Sequence, residues 1–335
     1  MVQIEKAPGT GHGRIVPGSL RPARRAIPRL NWLLHNFDQR LIMLTPPQTT
    51  QKSLKCMADS DYPIIWPAIE EEIAPFLKYC RGIVLNAGSG WRAVQLGQKH
   101  LSIDIVPDSC PNVIADLHGL PLRDDCVDTV VSIAVLEHTR FPWVVAQEFY
   151  RVLRPGGMGV IAVPFLQPQH SSPHDYVRFT ESGLVELMRY AGFEVVETAH
   201  VHHFGQTIAW LLWEYLEANR PHGFLRPLWL RFIRALSQGK LLRGNSPNTH
   251  NTHYAVVVKP GGESTPQSCY RQAIESTEAD WFYPLLACPR SHQPLLGDGQ
   301  ALVSADRQWL YPFQEGRPQV LHAEEAAPTI CQERH

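Results

Sequence analysis

Residues 81–105 read RGIVLNAGSGWRAVQLGQKHLSIDI, and this stretch decides the fold. Ile83, Val84 and Leu85 form the short apolar run of a buried parallel strand. Asn86-Ala87-Gly88-Ser89-Gly90 breaks it, and two glycines one residue apart allow a tight turn and a close approach of a ligand to the backbone. Trp91 to Gln98 can supply a helix, and His100 to Ile105 a second strand ending in Asp104. A carboxylate there, 16 positions after Gly88, is placed to accept bonds from two ribose hydroxyls. Gly88-Ser89-Gly90-Trp91-Arg92-Ala93 also fits the looser dinucleotide fingerprint, and any tight strand-to-helix turn uses glycine. Alone, the stretch leaves a nucleoside site, a dinucleotide site and a plain turn open.

Composition narrows the class. The chain has 335 residues, 44% hydrophobic and 19% charged, enough for a large α/β domain with additions. A formal net charge of −1 gives no global bias toward nucleic acid. Seven cysteines lie scattered, at 56, 80, 110, 126, 269, 288 and 331, without a CxxC pair. Such a set points to free thiols in a reducing, cytoplasmic compartment. No signal peptide is expected, and no run of 18 apolar residues suggests a membrane span.

Residues 1–60 read as a basic extension, with Arg14, Arg21, Arg24, Arg25 and Arg29 among prolines and glycines. Asp61 to Tyr79 has helix-compatible spacing. Beyond Asp104 strands and helices alternate. A short strand at 112–115 precedes a β-branched strand at 127–134, a helix at 142–153 stopped by Arg154-Pro-Gly-Gly, and a strand at 158–163. A helix at 181–190 and a strand at 193–199 follow. This alternation specifies a parallel sheet covered on both faces.

The segments VLNAGSG (84–90), SIDI (102–105), ADLHGLPLRDD (115–125), VDTVVSIAVLEH (127–138) and EFYRVLRPGGMGVIAVPF (148–165) occur in the order found in class I S-adenosylmethionine-dependent methyltransferases. The chain most resembles their type 11 family over about residues 79–200, plus a last strand at 253–259. The resemblance implies an α/β, Rossmann-like, doubly wound seven-stranded sheet. The domain would span 61–262, with a helical cap inserted at 204–252. The implied cofactor is S-adenosyl-L-methionine. Asn86, Gly88 and Gly90 would line its methionine end, Asp104 with Ile105 its ribose side, and Asp116 with Leu117 its adenine; Ser132 and Ala134 would face it. Two positions depart from the family pattern: Asn86 stands where an acid is usual, and Arg92 where a third glycine is frequent.

Transfer from a sulfonium is an in-line displacement, and a base is needed only where the acceptor must lose a proton. The loop after the fifth strand, QPQHSSPHDYVR (167–178), supplies candidates at the carboxyl end of the sheet. His174 is the expected base or positioning group, with His170 as a second imidazole and Asp175 to orient one. Tyr176 and Arg178 suit a polar or anionic acceptor, and His202 and His203 close the same rim. His138 is expected to make a structural hydrogen bond. No metal ligand set is expected.

Two further stretches flank this domain. Within 206–243, two Trp-bearing helices (206–219 and 224–238) lie in a region without an acid from Ala218 to Gly262. They read as a roof over the site, with peripheral membrane contact as the sharper alternative. Residues 263–280 read as a linker, and 281–325 as a small β-rich domain. That domain, through LLACP (285–289) and YPFQEGRPQVL (311–321), resembles the zinc-ribbon-like activator subunit of tRNA and release-factor methyltransferases. Its metal signature is missing, since Cys288 and His292 cannot complete a tetrahedral site. The expected function is methyl transfer to oxygen or nitrogen of a small or carrier-linked acceptor. The alternatives are a protein or tRNA methyltransferase, suggested by the tail, and a non-catalytic binding protein, suggested by Asn86 and Arg92.

Overall fold

The computed structural model describes residue 64, residues 73–90, 95–170, 174–219, 225–241, 248–262, 267–297 and 301–321, and the backbone of 324–325. The basic extension and most of the expected helix at 61–79 lie outside these residues. Of its described residues, Ile73 is helical and Ala74–Tyr79 form a 3-10 turn with Pro75 in its first positions.

Seven strands form the main sheet: β1 (Ile83–Ala87), β2 (Lys99–Asp104), β3 (Val113–Ile114), β4 (Val127–Ile133), β5 (Leu153–Pro164), β6 (Glu194–Val201) and β7 (Thr252–Val258). Their order is β3-β2-β1-β4-β5-β7-β6. β1 pairs in parallel with β2 and β4, and β4 with β5, while β7 runs antiparallel between β5 and β6. Strand order reverses at β1 and β4, where open α/β sheets form a ligand crevice beyond their carboxyl ends. Period-two alternation divides the core. Ile83, Leu85, Ile161, Val163, Ala255 and Val257 enter one hydrophobic layer, and Val84, Val160, Ala162, Tyr254 and Val256 enter the other.

The helices α1 (Pro142–Val152) and α2 (Glu181–Ala191) cover the first of these layers through Val145, Phe149, Leu184 and Met188. Thr180 caps α2 by accepting the Gly183 N–H, and Gly192 ends it at φ +107°. The insertion is the helical pair α3 (Phe204–Asn219) and α4 (Arg226–Ser237), which share a small core of Trp213, Leu216, Ile233 and Leu236.

Three expectations need correction. Residues 95–98, expected to finish a helix begun at Trp91, are irregular. Gly97, at φ +64°, turns the chain into β2, and a Cβ there would lie 2.3 Å from a Val84 methyl. Arg154-Pro-Gly-Gly is not only a helix stop, because β5 begins at Leu153 and these residues bulge within it between the pairs Val127–Leu153 and Thr129–Met158. The stretch read as a linker contains a helix, α5 (Ser268–Glu275). Its Cys269 and Ala273, four apart, are buried, so two small residues on one face escaped a composition-based reading. Tyr270 anchors α5 by donating to Asp128 Oδ2 (2.8 Å) under the Arg154 guanidinium.

The C-terminal module is a small antiparallel sheet of β8 (Leu295–Gly297), β9 (Ala301–Ser304), β10 (Trp309–Gln314) and β11 (Arg317–Pro318), with β12 (Glu324–Glu325) beside β10. It continues the main core, since Leu285, Leu286, Cys288, Leu302, Tyr311 and Val320 belong to the same buried layer as β1 and α1. It also pairs with the edge of the large sheet. Val320 N–H donates to Ile114 O (2.8 Å), Ala287 N–H to Pro121 O (3.0 Å), and Arg123 N–H to Leu285 O (2.9 Å). The exposed side of β3 is thereby paired, which removes an open sheet edge. Cys288, fully buried, lies 3.1 Å from the Tyr311 hydroxyl.

Candidate functional site

The site is built where β1 and β4 end. After Ala87 the chain turns at Gly88, at φ +74°, whose N–H donates to Ile103 O at 2.8 Å. A Cβ on Gly88 would come within 2.5 Å of Val135, so the turn is packed against the exit of β4. Gly90, at φ +52°, differs: among the described residues a Cβ there would meet no atom within 4 Å. Its N–H donates to Asp104 Oδ2 (2.7 Å), while Asp104 Oδ1 accepts Val106 N–H (2.8 Å). Asp104 is 7% exposed, and each of its carboxylate oxygens keeps a lone pair for a further donor. Ile105, 49% exposed, follows directly. Asn86 is buried in register between Ser102 of β2 and Val131 of β4. Ser132 is fully buried, and its hydroxyl has no hydrogen-bond partner.

Asp116 lies on the neighbouring loop and caps the 3-10 turn Leu117–Gly119. Its Oδ1 accepts His118 N–H (2.9 Å) and meets His118 Nδ1 at 2.6 Å. Burial pushes this carboxyl's pKa up, but the hydrogen bonds and charge of His118 outweigh it, leaving the value below the ordinary one. The C-terminal module stands behind this loop, with Pro289 3.5 Å from where a Gly119 Cβ would be.

The third wall is the turn after β4. Ala134 leaves the strand at φ +53°, an uncommon conformation for a residue with a Cβ, and the chain enters the 3-10 turn Leu136–His138. Glu137 is thereby turned inward: its side chain is fully buried, and neither carboxylate oxygen has a hydrogen-bond partner. His138 Nε2 and His170 Nε2 stand 3.5 and 3.6 Å from Glu137 Oε1.

The loop candidates fall out differently from expectation. His170 reaches this wall. His174 does not bring its ring to Asp175: its ring is exposed and lies 5.5 Å from that of Tyr176, while its carbonyl accepts from His138 Nδ1 (2.6 Å). Asp175 instead pairs with the Arg178 guanidinium and accepts His170 N–H at 2.8 Å. Burial raises the Asp175 pKa, and the hydrogen bonds and charge of Arg178 together with the His170 N–H and ring more than reverse it, so the net shift is downward. Adjacent side chains diverge in extended backbone, whereas positions three apart met here. His203 caps α3, its N–H donating to Gln206 Oε1 (3.1 Å), and His202 Nδ1 contacts Asn251 Oδ1 (2.5 Å). Glu137 received no role from sequence; its signal was an acid between Leu136 and His138 at the end of an apolar strand.

A family description, the methyltransferase domain, matches residues 86–161. A Mycolicibacterium smegmatis protein named a probable S-adenosylmethionine-dependent methyltransferase is 31% identical over 183 residues, covering 47% of this chain and 69% of that protein. An uncharacterized methyltransferase of Mycobacterium avium is 39% identical over 67 residues, 20% of this chain and 26% of the relative. Among solved structures, the complex between the Haloferax volcanii Trm112 methyltransferase activator and its methyltransferase shares 17% identity. It covers 65% of this chain and 98% of that chain at a TM-score of 0.42.

Proposed function

Because the chain belongs to the S-adenosylmethionine-dependent methyltransferases, we propose that it moves the cofactor's methyl group to an oxygen or nitrogen of a small or carrier-linked acceptor. The carrying observation is the pairing of an unfilled Gly90 with a nearly buried carboxylate, Asp104, at the strand-order reversal. A side chain at Gly90 would occupy space that no atom of the described residues uses, and both oxygens of the adjoining Asp104 carboxylate keep a lone pair for a further donor. These features fit a nucleoside with a polar tail. In this reading Asp104 holds the ribose hydroxyls, Ile105 lies against the nucleoside, and Asn86, Gly88, Gly90 and Ser132 surround the methionine end. Leu117 and the Asp116 turn border the adenine. When bound, the cofactor supplies an electrophilic methyl on a sulfonium. The chain's contribution is alignment and exclusion of water.

In the same reading the acceptor sits over the rim of Glu137, His138 and His170. His174, exposed beside Tyr176, is the imidazole free to take a proton from the acceptor, and Asp175 is a positioning residue acting through Arg178. A tritiated-methyl assay on lysate, separated into RNA, protein, lipid and small-molecule fractions, tests the acceptor class. Label in the small-molecule or lipid fraction agrees with the proposal; label confined to RNA or protein contradicts it.

One observation favours an acceptor carried at a membrane surface. Leu228, Trp229 and Phe232 of α4 are 64%, 39% and 41% exposed, in the stretch that has no acid between Ala218 and Gly262. No helix among the described residues is long and apolar enough to cross a membrane, so the contact would be peripheral. Salt-sensitive co-sedimentation with anionic vesicles is its test.

A further inference from the structure

The rim beneath the loop holds a group that needs more than methyl transfer to explain it. Glu137 is buried without a hydrogen bond to either oxygen, and no lysine or arginine pairs with it among the described residues. A carboxylate so placed is costly unless something positive joins it. The two groups facing it are imidazoles, and both present Nε2. His138 has Nδ1 on the His174 carbonyl at 2.6 Å, which holds the proton on Nδ1 and leaves Nε2 with its lone pair. His170 Nδ1 lies 3.2 Å from Pro168 O, an acceptor that favours the same tautomer, while the Arg178 guanidinium, a donor, lies 3.3 Å from it.

The separations are informative. At 3.5 and 3.6 Å, Glu137 Oε1 is too far from the two Nε2 atoms for good hydrogen bonds. Ligands about 2.0–2.2 Å from one tetrahedral cation stand roughly 3.4 Å apart. The three ligand atoms all lie within 4.8 Å of one another.

We propose that Glu137, His138 and His170 bind a divalent first-row transition cation of the zinc, iron or manganese kind. Two imidazoles and one carboxylate select such an ion over magnesium or calcium, which prefer oxygen sets. Three protein ligands leave open positions, as catalytic rather than structural sites do. His174 O, Pro168 O and Asp175 form the outer shell that aims the imidazoles. The site lies at the carboxyl ends of β4 and β5, so its open positions are available to an oxygen of the acceptor. That last role rests on the methyl-transfer reading, whereas the binding itself does not. The ion set was not expected from sequence, where His138 and His170 are 32 residues apart and Glu137 had no role.

The test uses the full chain, stripped with a chelator and titrated with cobalt(II), followed by visible absorption and by zinc competition against a chromophoric chelator. Wild type should bind one equivalent. Glu137→Gln and His170→Asn should each lose more than the roughly 10–100-fold that removal of an outer-shell partner costs. Bound zinc should raise the melting temperature of wild type but of neither variant. His170→Asn, on a partly exposed loop, serves if Glu137→Gln fails to fold. Absence of saturable binding at millimolar cobalt overturns the proposal, as does equal binding by wild type and the folded variants, which would put the ion elsewhere, for example at Cys288 and His292. Calorimetry of the stripped protein with S-adenosylmethionine reports on the methyl-transfer reading separately.

Discussion

At the scale of single residues, two glycines two positions apart do different work. Gly88→Ala drives a methyl toward Val135 and keeps a left-handed φ, so it should lower the melting temperature markedly. Gly90→Ala meets no atom of the described residues, and its cost to stability should be only about 1 kcal/mol of backbone strain. It should nevertheless weaken cofactor binding by much more than it lowers stability. Melting curves with and without S-adenosylmethionine separate the two; equal losses of stability and affinity at Gly90 would mean that the open side holds no ligand. Both glycines were legible in the sequence. What was not legible is which side of each turn the protein itself fills, because that depends on Val135, 47 residues away from Gly88.

The same limit applied to the acceptor loop. His174 and Asp175 are neighbours in sequence, yet the carboxylate turned to Arg178 and His170. His174→Ala should still cut turnover by roughly 10²–10⁴-fold with cofactor affinity kept, if its imidazole removes the acceptor's proton. Full turnover in that variant, measured at saturating acceptor, would leave alignment alone as the source of rate.

Among the elements, the C-terminal module is the one whose consequence exceeds its size. It was visible as LLACP and YPFQEGRPQVL, but its mating surface was not, since backbone hydrogen bonds to Ile114 and Pro121 leave no mark in side-chain pattern. Because it pairs with β3 and backs the 116–122 loop, truncation after residue 280 should lower the melting temperature and weaken cofactor binding together. A truncated chain with unchanged cofactor affinity would reduce the module to an independent appendage. The strand β7 offers a second handle. His253 there is buried and bonded to His250 Nδ-to-Nε at 2.9 Å. Burial, then the nearby His250, push its pKa down to about 4 from 6.5. Between those values the unfolded chain binds the proton and the folded chain does not, so this contribution to stability is complete above about pH 6.5 and lost as pH falls toward 4. His253→Gln should flatten the fall of melting temperature across that window, and an unchanged slope would remove His253 as its source.

For the whole molecule, a parallel sheet covered on both faces followed from alternation of apolar runs with glycine and proline stops, and the doubly wound, seven-stranded form implied by the methyltransferase resemblance agrees with the observed strand order. The elements missed were short: α5, whose buried face is only Cys269 and Ala273, and the bulge at Arg154–Gly157, fixed by pairing with β4. Short elements carry too few periodic positions to be read before their partners are known. Isothermal calorimetry of the full chain with S-adenosylmethionine probes the cofactor crevice at the ends of β1, β2 and β4. Wild type should show saturable, one-to-one binding, and a folded Asp104→Ala variant should lose a few kcal/mol of it, on the order of the charge-assisted bonds removed. No heat of binding in wild type at millimolar cofactor, or equal affinity in the two proteins, would mean that this crevice does not hold the cofactor.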